Sequence, residues 1–258
     1  MTRARIGVLA SGGGSNLQAI LDHFAALGDA RRGDVVLVAS NRPDAGALAR
    51  AQRAGIARAV LHSPHAPDGA DLASELETHR VELVALAGYM RLVPPEVTAA
   101  YRGRMLNVHP ALLPEFGGPG MYGARVHRAV LHAGASLSGP SVHFVDEVYD
   151  HGALIAQWPV PVLPDDDDRT LAARVLRAEH LLYPRVVDAV AGGEVRLGDD
   201  GRVHGERFRG ARLPVMDPSL DDRALAEELD RTLGLASPPE LAHRRTHDLT
   251  ISRTNELD

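Results

Sequence analysis

Short, unbroken apolar runs alternate with stretches of helical spacing through the first two-thirds of the chain. This alternation limits the possible folds more than any other feature. Ile6–Ala10, Val35–Ala39, Ala59–Leu61 and Leu83–Ala87 read as strands, and about Asn16 to Leu27, Ala45–Ala54 and Ala70–His79 as the helices between them. A strand that is apolar throughout must be covered on both faces, and strand–helix–strand connections lay successive strands parallel. Met105–Val108, Ser141–Val145 and Ala153–Val162 add strands, and Ala124–His132 adds a helix. The expected fold is α/β: three layers, a mostly parallel twisted sheet with helices on both faces.

A long helix from about Arg169 to Val190 closes this part, with Leu171, Val175, Ala178 and Leu182 on one face. Pro184 inside it predicts a kink or a break. Residues 194–213 read as one or two short strands with glycine turns. Beyond Leu213 the pattern changes. Ser219-Leu-Asp-Asp222 has the form of a capping box, Leu225, Leu229 and Leu233 follow at four-residue steps, and Gly234 ends that helix. The expected division is a domain over 1–213 and a partly helical C-terminal extension over 214–258, whose helix docks on its own domain or on a second subunit. A homodimer stays open.

Composition removes whole classes of chemistry. The 258 residues include no cysteine, and all 28 basic residues are arginine. Disulfides, thiolate nucleophiles, Cys-type metal sites, Schiff-base or P-loop lysines and Ser–Lys dyads are excluded. A formal net charge of -6 argues against a nucleic-acid partner. Ile6–Ala10 is too short for a signal-peptide core, and no run approaches the ~18 apolar residues of a spanning helix. No membrane partner is expected, and the expected compartment is the cytoplasm.

Two constellations carry chemistry. Ser11-Gly-Gly-Gly-Ser-Asn16 follows a strand and opens a helix, so its backbone N–H groups and the helix dipole form an anion site. It is not a Walker A loop, having no Gly-Lys-Ser/Thr. It is not a dinucleotide fingerprint either, because Leu17 stands where the third glycine would be. The second constellation is Asn107-Val-His109-Pro at the end of a strand. Residues two apart share a strand face, so an amide donor and an imidazole project together where open α/β sheets bind ligands. That pair suits a developing oxyanion at a carbonyl carbon. Asp146, Glu147 and Asp150, in one loop, are the candidate carboxylates to stabilise the histidine's charged form.

Through these and further stretches the chain resembles the phosphoribosylglycinamide formyltransferase family, folate-dependent enzymes of purine synthesis. The resemblance rests on Ser11–Gln18, Leu86-Ala-Gly-Tyr-Met-Arg91, Leu106-Asn-Val-His-Pro-Ala-Leu-Leu-Pro114, Ser141-Val-His-Phe-Val145 with Asp150 beyond it, and Glu179-His-Leu-Leu-Tyr-Pro184. They stand in the family's order across about Ile6 to Leu197. The resemblance implies a Rossmann-like formyltransferase fold and a direct formyl transfer from 10-formyltetrahydrofolate, as co-substrate, to glycinamide ribonucleotide, with no metal required. It implies catalytic roles for Asn107, for a protonated His109 and for Asp150, which keeps that histidine charged. Gly13, Gly14, Ser15, Asn16 and Glu179 would bind the ribonucleotide. Met90, Arg91, Leu92, Val93, Asn107 and Asp146 would line the folate pocket.

Two departures stand out. Glu115–His127 is longer than the compact Pro-Gly-x-His form of some members, so it is expected to form part of the site's wall or a lid. An arginine that some members place before the third helix has no counterpart near Pro67–Asp71. Other residues draw plainer readings: Asp165–Asp168 as an acidic, solvated loop before the long helix, and the His62/His65 and His127/His132 pairs as surface or structural histidines. His143 is expected to pack near the site without doing chemistry, and Trp158 to be half-buried in a strand. The rivals are a formyltetrahydrofolate hydrolase, for whose N-terminal regulatory domain there is no room before Ile6, and a methionyl-tRNA formyltransferase, whose relatives lack this glycine turn. A third is a non-catalytic phosphate-binding module.

Overall fold

The computed structural model describes residues 2–62, 69–209 and 213–235. The His65 and Pro67 readings, and everything after 235, lie outside them. Strands β1 (Ala4–Leu9), β2 (Gly33–Ser40), β3 (Ala57–Val60), β4 (Leu83–Leu86) and β5 (Met105–His109) alternate with helices α1 (Ser15–Leu27), α2 (Gly46–Arg53), α3 (Ala70–Thr78) and α4 (Pro95–Ala100). Then come α5 (Ala124–His132), β6 (Leu137–Ser138), β7 (Ser141–Phe144), β8 (Leu154–Gln157), β9 (Val160–Pro161) and α6 (Asp168–Ala191). The chain continues through β10 (Arg196–Leu197), β11 (Val203–His204), α7 (Glu206–Arg209) and α8 (Asp222–Leu233).

Seven strands form the main sheet in the order β3-β2-β1-β4-β5-β7-β8. The pairings from β3 through β5 are parallel, and β7 and β8 are added antiparallel. The expected α/β sheet is thus present, with its parallel part made by the strand–helix repeats. Strands β1, β2, β4 and β5 feed both faces, as their unbroken apolar character requires. Ile6, Val8, Leu83, Ala85 and Leu106 pack under Leu17, Ile20, Val175 and Leu182 of α1 and α6. Leu9, Leu37, Val84 and Met105 pack under Leu72 and Leu76 of α3 and Val97 of α4. No helix among the described residues is long and apolar enough to cross a membrane.

Four expectations are corrected. Of the kink or break expected at Pro184, the break does not occur: helix α6 runs continuously through it, and residues Leu182–Ala189 are buried without a gap. Burying each large aliphatic there is worth ~1.5–3 kcal/mol, which together exceeds the ~3 kcal/mol cost of an interior proline. The expected strand Ala153–Val162 divides at Trp158-Pro159. Its first part, β8, stays in the main sheet, and its second, β9, pairs with β6. Trp158 therefore lies between strands and is 1% exposed, its indole N–H donating to the Pro214 carbonyl (3.1 Å). Finally, α8 is capped by Asp221, which accepts from the Ala224 N–H at 2.8 Å, while Ser219 bonds Asp217 instead. Helix α4 and the single turn α7 were not expected.

The full capping box belongs to α6, where Asp167 accepts from the Thr170 N–H and the Thr170 hydroxyl accepts from the Asp167 N–H. The acidic loop before it is not wholly solvated, since Asp166 is paired with Arg174 at 2.6 Å and its side chain is 3% exposed. On α8, Leu225, Leu229 and Leu233 join the main core. Arg185 of α6 forks onto Asp230, with Nη2 2.8 Å from Oδ2 and both side chains buried. The tail helix thus docks on its own domain.

Candidate active site

Strand order reverses between β1 and β4, and the crevice beyond the carboxyl ends of such strands is where open α/β sheets take ligands. A cavity of about 670 Å³ opens there. Its wall comes from residues 88–93 after β4, 107–110 at the end of β5, 118–124 before α5, the loop after β7 and one face of α6. The long loop is therefore part of the wall, as expected.

Asn107 and His109 do project together, and one carboxylate touches both. Asp150 Oδ1 is 3.4 Å from Asn107 Nδ2, and Asp150 Oδ2 is 3.4 Å from His109 Nδ1. Asp150 reaches them from the β7–β8 loop with φ +54, a left-handed backbone uncommon outside glycine. Its Oδ2 also accepts from the Gly118 N–H at 3.0 Å, which ties the wall loop to the same carboxylate.

The register of β5 against β7 sets His143 directly opposite Asn107. His143 Nδ1 lies 2.7 Å from the Phe144 carbonyl, which can only accept, so Nδ1 carries the proton. Nε2 lies between Asn107 Nδ2 at 3.2 Å and Asp150 Oδ1 at 3.7 Å. His143 packs beside the site, as expected, and its ring also meets the amide of Asn107. No side-chain spacing announces this contact, because it depends on cross-strand register.

His109 is 3% exposed, with Nε2 2.8 Å from the Phe116 carbonyl. Both ring nitrogens therefore face acceptors, and only the imidazolium can donate to both. Burial opposes that charge. It pulls the His109 pKa below its ordinary value, against the opposing pull of Asp150 and the Phe116 carbonyl. For Asp150, burial pushes the carboxyl up. His143, His109 and the Gly118 N–H outweigh it and hold Asp150 below the usual carboxylate range.

At the other end of the cavity, Asn16 opens α1 and donates from Nδ2 to Glu179 Oε2 at 2.7 Å. Glu179 lies across from it on α6, and burial raises its carboxyl to about 7, against the opposing bond from Asn16. Asn16 Oδ1 is buried and finds no partner among the described residues. Asn16 and Glu179 line the cavity, whereas Gly13, Gly14 and Ser15 precede that lining in the turn. Gly14 has φ +74, and a Cβ on it would lie 2.8 Å from the Ala47 Cα, so only glycine fits.

Met90, Arg91, Leu92, Val93 and Asp146 also line the cavity. Met90 and Leu92 are exposed, as are Val148 and Tyr149 opposite, which leaves an apolar slot open to solvent. The Asp146 carboxylate is taken up locally by the Val148 N–H at 3.0 Å and His151 Nδ1 at 2.8 Å. Residues 4–187 match the formyl transferase family.

The chain belongs to the formyl transferase family.

Among its relatives, a chloroplastic phosphoribosylglycinamide formyltransferase of Arabidopsis thaliana is 44% identical over 206 residues, 77% of this chain and 69% of the relative. The phosphoribosylglycinamide formyltransferase of Escherichia coli K12 is 39% identical over 220 residues, 83% of this chain and 98% of the relative. The crystal structure of the phosphoribosylglycinamide formyltransferase of Anaplasma phagocytophilum superposes with a TM-score of 0.71 at 35% identity, covering 79% of this chain and 94% of that one. The family match spans the glycine turn, the Asn-x-His strand, Asp150 and Glu179, but stops before α8.

Proposed function

We propose that this formyl transferase moves the formyl group of 10-formyltetrahydrofolate to the amine of glycinamide ribonucleotide, a step of purine synthesis. The observation that carries the reading is the single Asp150 carboxylate in contact with both Asn107 and His109, in one cavity with Asn16 and Glu179. A non-catalytic phosphate-binding module would need the turn but not that constellation. The relatives named as phosphoribosylglycinamide formyltransferases support the ribonucleotide as acceptor over water.

In this mechanism the acceptor phosphate lies against the N–H groups of Gly13, Gly14, Ser15 and Asn16, and Glu179 holds the ribose side. The folate ring occupies the apolar slot between residues 90–93 and Val148–Tyr149, which suits a flat heterocycle. The glycinamide nitrogen attacks the formyl carbon, and the carbonyl oxygen becomes an oxyanion. Asn107 Nδ2, which without ligand contacts His143 Nε2 and Asp150 Oδ1, turns one N–H away from them to donate to it. Negative charge developing beside His109 offsets the burial that disfavours its charged form, and Asp150 holds the imidazolium. For His109 Nε2 to face that oxygen, the Phe116 carbonyl must release it. The carbon–N10 bond then breaks, N10 taking a proton equivalent to the one the amine loses. No covalent enzyme intermediate forms, in keeping with a chain that has neither cysteine nor lysine.

The same reading takes residues 1–213 as the formyltransferase domain and 214–258 as an extension, with the cytoplasm as the working compartment. Consumption of 10-formyltetrahydrofolate by the purified chain, with and without glycinamide ribonucleotide, tests it. Turnover that requires the ribonucleotide is the expected result. Turnover without any acceptor identifies the hydrolase, and binding of the ribonucleotide without turnover leaves a binding module.

A further inference from the structure

The glycine turn does not hold itself in shape. Its carbonyls point backward into α2: the Ala47 N–H donates to the Gly12 oxygen at 3.1 Å, and Arg50 Nε donates to the Gly13 oxygen at 2.8 Å. Arg50 Nη1 also bonds Gln18 Oε1 at 3.0 Å, one turn into α1. Gly46 lets α2 come this close, because a Cβ there would meet the Gly13 Cα at 3.1 Å. In a trans peptide the C=O and the following N–H point in opposite directions. Fixing the Gly12 carbonyl against α2 therefore turns the Gly13 N–H away from it, and fixing the Gly13 carbonyl does the same for the Gly14 N–H. The N–H groups of Gly13, Gly14, Ser15 and Asn16 have no acceptor among the described residues. In front of Gly13 a Cβ would meet nothing within 4 Å. Asn16 Oδ1, buried and unpartnered, is an acceptor and belongs with Glu179 in the cavity next to the turn, where it suits a donor on the ribonucleotide and not the phosphate itself.

We propose that Arg50 is the positioning residue of the phosphate site: its guanidinium holds the Gly13 peptide so that the Gly14 N–H faces the phosphate, and it sets a fixed positive charge behind the turn. Arg50 does not touch the substrate in this arrangement. The inference rests on the ribonucleotide reading above and adds the element that gives the turn its orientation.

The test pairs a change in the protein with a change in the ligand. Arg50→Met and Arg50→Lys are assayed with glycinamide ribonucleotide and with its dephosphorylated riboside, using the full chain. Arg50→Met is expected to raise KM for the ribonucleotide about tenfold, the scale of one partly solvated charge-assisted hydrogen bond. kcat, the KM for 10-formyltetrahydrofolate and activity on the riboside should be unchanged. Arg50→Lys keeps the charge and one donor and should recover most of the loss. Should Arg50→Met fail to fold, Arg50→Gln carries the same comparison. A wild-type enzyme that prefers the phosphorylated acceptor, with the variants losing equally on both acceptors or on neither, would overturn the role of Arg50 alone. A wild-type enzyme indifferent to the phosphate would overturn the phosphate reading, and the proposal with it.

Discussion

Replacing Glu179 with glutamine should make the protein more stable, and only above a defined pH. The Glu179 carboxyl is buried on α6 and raised from an ordinary 4.5 to about 7. In the unfolded chain it ionises near its ordinary value; in the folded chain it keeps its proton until about 7. Between those limits the folded state binds more protons, so wild-type stability falls as pH rises through the window. The slope is about 1.4 kcal/mol per pH unit, and the total is about 3 kcal/mol. Glutamine stays neutral, and its carbonyl oxygen can still accept from Asn16 Nδ2. Urea unfolding of both proteins from about pH 4.5 to 8 reads the difference directly. The curves should coincide at the acid end, and the variant should be more stable by about 3 kcal/mol at the alkaline end. The same variant should bind glycinamide ribonucleotide more weakly, a trade of function against stability. A difference that stays constant across the window would refute the reasoning, because the buried carboxyl would then not be the proton-binding group.

Two further outcomes follow from the geometry. Asn107→Ala should lower kcat by roughly 10²–10³, the usual loss for one oxyanion donor, with ribonucleotide affinity retained; unchanged single-turnover rates would remove Asn107 from the mechanism. Asp230→Ala strands the buried Arg185 guanidinium and should cost about 3–5 kcal/mol in denaturant unfolding, whereas a loss below about 1 kcal/mol would mean that α8 is not held by that pair.

The sheet was legible because its strands are buried on both faces, which writes them into the sequence as unbroken apolar runs. The Asn107/His109 pair was legible because strand periodicity alone puts them on one face. Trp158 and Pro184 were misread for a common reason. Where a strand leaves its sheet, and whether a helix survives a proline, are decided by what packs around them, and local pattern does not carry that. The contacts that complete the site were hidden for another reason. His109 meets a backbone carbonyl, Asp150 meets a backbone N–H, and Arg50 holds the Gly13 carbonyl. Main-chain partners have no residue identity, so no motif can announce them. His143 could have been found only by pairing β5 with β7 in the correct register.

The docking of the tail brings one more consequence. Trp158 is the chain's single tryptophan, and the segment leading to α8 closes over it: its indole bonds the Pro214 carbonyl, and the Met216 N–H donates to the Pro159 oxygen at 2.8 Å. The molecule thus carries a built-in optical gauge at the seam between sheet and tail. Its emission should stay blue while the seam is closed and move to the red when water reaches the indole. Peeling of the C-terminal segment can then be timed without a label, apart from any event at the substrates.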